Sequence, residues 1–349
     1  MTAKDTGRAV LLGMSGGIDS SISAHILKEQ GYEVNGLMLR TASVSRDSVV
    51  RAQNAASCLG IPMIIDDLEQ EFDDFVVKPF LQAYKEGLTP NPCISCNPGF
   101  KFKRLADAAD RLGIRSIATG HFAKVASIGG ERYISMGASK KNDQSYFLYR
   151  LGKEIRDRLI LPLGDFRKEE VREKAAKIGL DYSGVKSSQE ACFILGDLKE
   201  WLSAKLPELE REGPAFDIET GKLLGTHRGS RFFTIGQRKG HGIATGSRAY
   251  IARTDHQANA IYLGSAEDCL VDVVEAEDVA FGCIDERRLR EGVRLLVRTR
   301  SSMAPAQATV RIAEGRLTAR FDEPVWASAP GQSMVCYDGE VVACGGRII

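Results

Sequence analysis

Near the start of the chain, Gly13-Met14-Ser15-Gly16-Gly17-Ile18-Asp19-Ser20-Ser21 combines three glycines, serine hydroxyls and one carboxylate. A string of this kind suits an anion: backbone N–H groups and hydroxyls can face a phosphate, and a helix starting behind them favours negative charge. Neither common phosphate loop is present, since no Gly-Lys-Ser/Thr follows and the Gly-x-Gly-x-x-Gly fingerprint is missing. A second set of residues offers sulfur chemistry. Cys93 and Cys96 stand in the proline-rich stretch Leu88-Thr89-Pro90-Asn91-Pro92-Cys93-Ile94-Ser95-Cys96-Asn97, and Cys192 in the polar run Ser187-Ser188-Gln189-Glu190-Ala191-Cys192-Phe193. Thiols in such loops are poor core filler, whereas Cys58, Cys269, Cys283, Cys336 and Cys344 have apolar or strand-like neighbours. A single Cys-x-x-Cys points to metal or redox work, and no second pair or nearby His pair completes a zinc site.

The elements that must position these groups follow from the hydrophobic pattern. Ala9–Leu12 is an apolar strand, and Ser20 to Gln30 is a helix with Ile22, Ile26 and Leu27 on one face and Gly31 at its end. Strand-like and helix-like segments then alternate: Val34–Leu39, a helix from Asp47 to Leu59, Ile61–Ile65, a helix from Phe72 to Lys85, a proline-broken loop, a helix from Phe102 to Leu112, and Ser116–Ala118. This alternation predicts a parallel sheet covered on both faces, with ligands at the carboxyl ends of the strands. Two further strings stand out, the first of them at such an end. Ala118-Thr119-Gly120-His121 follows a strand, where His121 is either a crevice residue or a strand-end cap; Asn142-Asp143-Gln144-Ser145 precedes a helix, where Asp143 could serve only as a cap.

Beyond Arg150 a charge-mixed helical stretch leads into glycine-punctuated β-prone runs, such as Ala249–Ala252 and Ala308–Ile312. The expected division is residues 1–206 as an α/β domain, 207–272 as a small β-rich domain and 273–349 as a β-barrel. A length of 349 residues fits two or three domains and excludes a peptide hormone or a disulfide-stapled mini-scaffold. No apolar run is long enough to span a membrane, no signal-peptide pattern opens the sequence, and a cytoplasmic protein with no membrane partner is expected. The net charge of +1 hides an uneven distribution. Thr220–Thr254 lacks any acid while carrying Lys222, Arg228, Arg231, Arg238, Lys239, Arg248 and Arg253, and a second cluster is Arg287, Arg288, Arg290, Arg294, Arg298 and Arg300. Such stretches either decorate solvated β-faces or bind phosphodiesters.

Ser-Gly-Gly-x-Asp-Ser after a first strand resembles the PP-loop of the ATP pyrophosphatases. Further strings narrow the resemblance to the tRNA-specific 2-thiouridylase family, in chain order and over nearly the whole length: Thr89-Pro90-Asn91-Pro92 with Cys96-Asn97, Ala118-Thr119-Gly120-His121, Asp143-Gln144-Ser145-Tyr146-Phe147-Leu148, Thr234-Ile235-Gly236-Gln237-Arg238-Lys239-Gly240, and Pro330-Gly331-Gln332-Ser333. The resemblance implies an adenine nucleotide alpha hydrolase (PP-loop, Rossmann-like) catalytic domain, a small β-rich central domain and a C-terminal β-barrel. It implies thiolation of the wobble uridine at position 34 of tRNA, with ATP and Mg²⁺ as cofactors and a sulfur-donor relay protein or cysteine desulfurase as partner. Gly13, Met14, Ser15, Gly16, Gly17, Ile18, Asp19, Ser20, Leu39 and Gly120 would then hold the nucleotide, with Asp19 near the metal. Asn91, Pro92, Cys93, His121, Asn142, Asp143, Gln144, Arg300, Ser301 and Gln332 would meet tRNA. Cys192 would carry a persulfide and Cys96 would resolve it by forming a disulfide or releasing hydrosulfide.

The sequence departs from the family in two places. Cys93 stands where the resemblance leads to Asp, so Cys93, Cys96 and Cys192 together match the ligand count of an iron–sulfur cluster with one open iron, the alternative to the persulfide route. The segment after Leu39 is short, and its helix has Arg51 where an acid is expected. Two other readings compete: a PP-loop enzyme that adenylates a small molecule, and a non-catalytic RNA-binding or sulfur-carrier protein. The basic β half and the two-loop thiols weigh against the first, and the intact Ser15, Gly16, Gly17, Asp19 and Ser20 against the second.

Overall fold

The computed structural model describes residues 8–41, 44–180, 182, 191–194, 196–246 and 248–349; the Ser187–Glu190 part of the Cys192 run lies outside them. Two compact units divide the chain. One comprises Met1–Val76, Cys93–Phe193 and Glu340–Val342, the other Val77–Pro92, Ile194–Gly339 and Ala343–Ile349.

The first unit is built on β1 (Ala9–Gly13), α1 (Ile18–Glu29), β2 (Glu33–Arg40), α2 (Arg46–Leu59) and β3 (Met63–Asp67), each strand joined to the next by a helix. Connections of this type force parallel pairing. With β4 (Ser116–Thr119) and, after a β5–β6 hairpin (Ala123–Ile128 and Glu131–Met136), β7 (Leu159–Ile160), they form a parallel sheet in the order β3-β2-β1-β4-β7. β1 is central and buried, with Val10, Leu11 and Leu12 fully out of solvent. The strand order reverses at β1, so its carboxyl end, where Gly13 lies opposite Thr119 of β4 and Leu37 of β2, is the switch-point crevice.

Two stretches differ from expectation, and proline explains both. The helix expected over 72–85 is broken into α3 (Glu69–Phe72), a π-helical turn Asp73–Val77 and α4 (Lys78–Lys85). Pro79 lacks the N–H that an α-helical ladder requires there, and a wider turn absorbs the gap. The stretch expected as a proline-broken loop, Leu88–Asn97, is non-helical only as far as Asn91; from Pro92 it is helical, with α5 (Pro92–Cys96) and a π-helical turn Asn97–Lys101 containing Pro98 leading into α6 (Phe102–Arg111). Pro92 occupies the first position of α5, where a missing N–H costs nothing. Cys93 and Cys96 therefore lie on a helix, three residues apart and on one face. Downstream, α7 (Lys153–Arg156) precedes β7 and α8 (Lys168–Lys177) follows it. Val171 and Ala175 of α8, spaced by four, pack with Ile22 and Ile26 of α1.

The second unit holds α4, α9 (Leu198–Lys205) and two β structures. β8 (Gly213–Asp217), β9 (Leu223–His227), β10 (Tyr250–Asp255) and β11 (Ala260–Gly264) form a four-stranded sheet in the order β10-β11-β8-β9. β12 (Leu270–Phe281), α10 (Glu286–Glu291), β13 (Val293–Arg298), β14 (Ala306–Ala313), β15 (Arg316–Trp326), β16 (Ser333–Asp338) and β17 (Val341–Ile348) follow. Their strands run β12-β15-β14-β13-β16-β17, and pairing of β12 with β17 closes a six-stranded barrel. The alternation along β14 shows the barrel logic: Ala308, Val310 and Ile312 are buried inside it while Arg311 and Ala313 face out.

Because β1 is packed on both faces, truncating it opens a cavity that the sheet cannot close. Leu12→Ala should cost about 3 kcal/mol, read from the urea transition of the α/β unit, and a loss below about 1 kcal/mol contradicts close packing there.

Candidate functional site

The loop between β1 and α1 is shaped by its own hydroxyls. Ser15 N donates to Ser20 Oγ (3.2 Å), Ser20 Oγ donates to Gly17 O (3.0 Å), and Ser21 Oγ also donates to Gly17 O (3.2 Å). Gly16 takes a positive φ of 72° and has no room for a side chain, since a Cβ there would lie 2.1 Å from Ser48 O in the first turn of α2. Gly120, beyond β4, is equally constrained: its Cβ would lie 2.9 Å from the carbonyl carbon of Asp19. Three backbone segments thus meet around the loop with no side chain between them. Met14 contributes only backbone to that surface, because its side chain is buried in the core and its N–H donates to Leu37 O (2.8 Å). Ile18 packs with the α1–α8 core, and Leu39 is half-buried near the end of β2.

Three residues outside the motif converge on this loop. Lys168 Nζ lies 2.5 Å from Asp19 Oδ1 and 5.1 Å from the Phe122 ring centroid. The α1–α8 contact brings it there, because Lys168 opens α8. Arg51 Nε donates to Gly16 O (3.3 Å) and Nη2 to Ser48 Oγ (2.9 Å). Tyr182 shares a 2.5 Å hydrogen bond with Ser21 Oγ. Sequence spacing gave no sign of Lys168 or Tyr182; the only available signal was the unexpected charge at Arg51.

The thiols come together from two distant segments. Cys96 is buried, Cys93 half-buried and Cys192 exposed, none of them in a disulfide. Burial pushes Cys96 up to about 12; the Lys101 charge works against that, while the Cys192 and Cys93 thiols add to it. Cys93 is raised by the same burial, opposed by Lys101 and reinforced by Cys192. The mutual influence places the three sulfurs in one electrostatic neighbourhood. Among the described residues, however, no three His, Cys, Asp or Glu side chains are grouped to hold a metal ion.

Several residues expected to meet tRNA have their polar groups engaged inside the protein. Asp143 is buried; its Oδ1 accepts from Gly137 N (2.9 Å) and Ser145 N (3.3 Å), and its Oδ2 from Ser145 Oγ (2.7 Å). Gln144 Oε1 accepts from Phe122 N (2.9 Å), and Asn142 Nδ2 donates to Ser139 Oγ (3.0 Å). His121 stacks on Phe102 and its Nδ1 lies 2.7 Å from Thr119 Oγ1 at the end of β4. Burial, with the Lys101 charge, holds it well below the usual histidine range, so the ring is neutral at physiological pH. In the second unit, Gln332 Nε2 donates to Thr89 O (2.6 Å), and Arg300 Nη2 donates to Ile235 O (3.0 Å). These two fasten the loop before Asn91 and the loop before Gly236. Ser301 is exposed; Asn91 and Pro92 are half-buried.

The two basic clusters separate. In the second, Arg287 and Arg290 pair with Glu291 and Glu286 along α10, Arg294 pairs with Asp322, Arg298 is buried over the Tyr337 ring, and Arg288 is exposed. In the first, Arg228, Arg238, Lys239 and Arg248 are exposed, and none makes a salt bridge among the described residues.

A parallel α/β unit with a hydroxyl-lined phosphate loop at its switch point defines a nucleotide-binding protein of the PP-loop class. Comparison with known proteins agrees and goes further. The family model described as tRNA methyl transferase HUP domain matches residues 8–196, its PRC-barrel domain residues 199–265, and an aminomethyltransferase beta-barrel domain residues 271–348. The tRNA-specific 2-thiouridylase MnmA 3 of Bacteroides fragilis is 41% identical over 349 residues, covering 99% of this chain and 95% of its own. The tRNA-specific 2-thiouridylase MnmA of Deinococcus radiodurans is 36% identical over 355 residues, covering 98% and 92%. A 4-thiouridine synthetase in an RNA complex with bound ATP aligns with 58% of this chain and 52% of its own at 20% identity and a TM-score of 0.39, too low to bear on function. The chain belongs to the tRNA-specific 2-thiouridylase family.

Two outcomes follow from this geometry. With Cys96 near 12, roughly one molecule in ten thousand carries its thiolate at pH 8. Iodoacetamide at that pH should therefore label exposed Cys192 at least tenfold faster than Cys96, and labelling of Cys96 should still be accelerating at pH 10; equal rates by peptide mass spectrometry contradict the assigned environments. Asp143→Ala removes charge-assisted hydrogen bonds and should destabilise the α/β unit by about 3 kcal/mol. Weakened tRNA binding at unchanged stability is the opposite result.

Proposed function

We propose that this enzyme, a tRNA uridine sulfurtransferase, converts the wobble uridine at position 34 of tRNA to 2-thiouridine at the expense of ATP, which enters as its Mg²⁺ complex. The observation that carries this reading is the presence, in one compact unit, of the phosphate loop and of thiols from two distant segments. Phosphate binding alone would serve any adenylating enzyme; the thiols supply what thiolation requires in addition. The alternative of a small-molecule adenylating enzyme leaves both the thiols and the exposed Arg238, Lys239 and Arg248 without a role.

Uracil O2 is a poor leaving group, so it is first made a good one. The base leaves the anticodon stack, and its O2 attacks the α-phosphorus of ATP. The bond from that phosphorus to the bridging oxygen breaks, and pyrophosphate departs. The loop N–H groups and the Ser15 and Ser20 hydroxyls face the phosphates, and Asp19 acts with Lys168 at the start of α1. A sulfur-donor relay protein or a cysteine desulfurase delivers sulfur to Cys192, the exposed thiol, as a persulfide. Cys96, once deprotonated, attacks the Cys192 sulfur, releasing hydrosulfide and forming a Cys96–Cys192 disulfide. Hydrosulfide adds at C2, AMP leaves carrying the former O2, and an external thiol reductant restores both cysteines. Burial disfavours the Cys96 thiolate, which slows its attack on the Cys192 persulfide and limits premature loss of hydrosulfide. Exposed Arg228, Arg238, Lys239 and Arg248 supply phosphodiester contacts whose strength falls with salt.

Pyrophosphate release that depends on tRNA, with 2-thiouridine detected by nucleoside mass spectrometry, tests the whole scheme. Cys96→Ala and Cys192→Ala should lose thiolation by at least a hundredfold and keep tRNA-dependent pyrophosphate release, whereas Asp19→Ala should lose both. Full thiolation by Cys192→Ala with a physiological sulfur donor contradicts the relay, and pyrophosphate release indifferent to tRNA contradicts the substrate.

A further inference from the structure

The phosphate loop Gly13–Ser20 contains one acid and no base. A triphosphate is strongly anionic, and pyrophosphate carries still more charge on its terminal oxygens as it leaves. A loop of amides and hydroxyls therefore needs cations from elsewhere. The fold brings two. Lys168 is neutralised by Asp19, so that pair adds no net charge. Arg51 is held differently: its two acceptors are the Gly16 carbonyl and the Ser48 hydroxyl, both neutral. Of the five N–H donors of its guanidinium, three have no acceptor among the described residues, and it makes no salt bridge among them. A half-buried arginine on neutral partners beside an anion-binding loop is a positive charge whose counter-ion is still to come.

We infer that Arg51 is a pyrophosphate-binding residue of this enzyme, contacting the β- and γ-phosphates of ATP and the pyrophosphate that departs from the adenylation step. The inference rests on the ATP-dependent reading above. Three features of the chain support the placement. Ser45 caps α2 through Ser48 N (3.1 Å), which fixes the first turn carrying Ser48. Gly16 lets the Ser48 carbonyl approach to a distance no side chain would allow, so α2 lies against the loop. Ala52, Ala55 and Ala56 on the buried face of α2 are small enough to let the helix sit close. Arg51 is then one turn along, with its guanidinium over the Gly16 carbonyl. The planar fork suits two phosphoryl oxygens at once, as a lysine ammonium does not. In the adenylation step the bond from the α-phosphorus to the bridging oxygen breaks, and the electron pair goes to pyrophosphate. A fixed cation on that group stabilises the leaving charge without any proton transfer.

The competing explanation is that Arg51 only pins the loop to α2. Isothermal titration of the full-length protein with sodium pyrophosphate, ATP and AMP separates the two. Arg51→Ala should weaken pyrophosphate and ATP at least tenfold and leave AMP affinity and Tm unchanged. Arg51→Gln keeps a donor for the neutral contacts while removing the charge, and should lose pyrophosphate affinity to a similar degree; Arg51→Lys should recover part of it. Unchanged pyrophosphate affinity in Arg51→Ala overturns the inference, as does a parallel loss for AMP and pyrophosphate with a lowered Tm. Restoration of pyrophosphate binding by Arg51→Gln also overturns it, since support without charge would then suffice. Wild-type protein that binds neither ATP nor pyrophosphate is a distinct result, and it removes the ATP-dependent reading itself.

Discussion

Backbone meeting backbone at the carboxyl end of the central strand is the contact from which the rest of the α/β unit takes its geometry. Gly13 pairs across from Thr119, Gly120 lies against the Asp19 carbonyl group, and Gly16 lies against the Ser48 carbonyl. A side chain at either of the last two positions would push apart segments that hold the phosphate loop. The approach is possible because parallel strands of a covered sheet deliver their carboxyl ends side by side. It also explains why the polar groups nearby are busy with one another. Asp143, Gln144, Thr119 and His121 tie neighbouring turns together, and a loop of amides can be rigid only if such ties hold it.

Charge in this protein is positioned more by packing than by abundance. Lys168 reaches Asp19 because α8 packs on α1 through Val171 and Ala175, and Arg51 reaches Gly16 because α2 has a small buried face. By contrast, Arg287, Arg290 and Arg294 of the second basic cluster have acidic partners and Arg298 is buried. The acid-free stretch from 220 to 254 keeps six exposed cations, Lys222, Arg228, Arg238, Lys239, Arg248 and Arg253, without salt bridges among the described residues. The thiols obey the same rule. Burial and Lys101 act on Cys93 and Cys96 in opposite directions, and burial wins. The outcome is one exposed thiol, Cys192, beside a buried one, Cys96, whose ionisation is disfavoured.

The parallel α/β unit, the phosphate loop at its first strand end, the β-rich second half and the three cysteines outside apolar contexts are all legible along the chain. These are matters of local periodicity and of residue types that only a few backbone geometries accept, as with Gly16 at positive φ. That Cys93 and Cys96 share a helix face emerges from the fold, because prolines that look like loop formers can also start an α-helix or be absorbed in a π-turn. Packing alone brings Lys168, 149 positions from Asp19, to the loop and engages Asp143, Gln144, Arg300 and Gln332 in hydrogen bonds within the chain. A hydrogen bond or ion pair between distant segments leaves no periodic trace along the chain, so its partners become visible only once the helices and strands that carry them are packed.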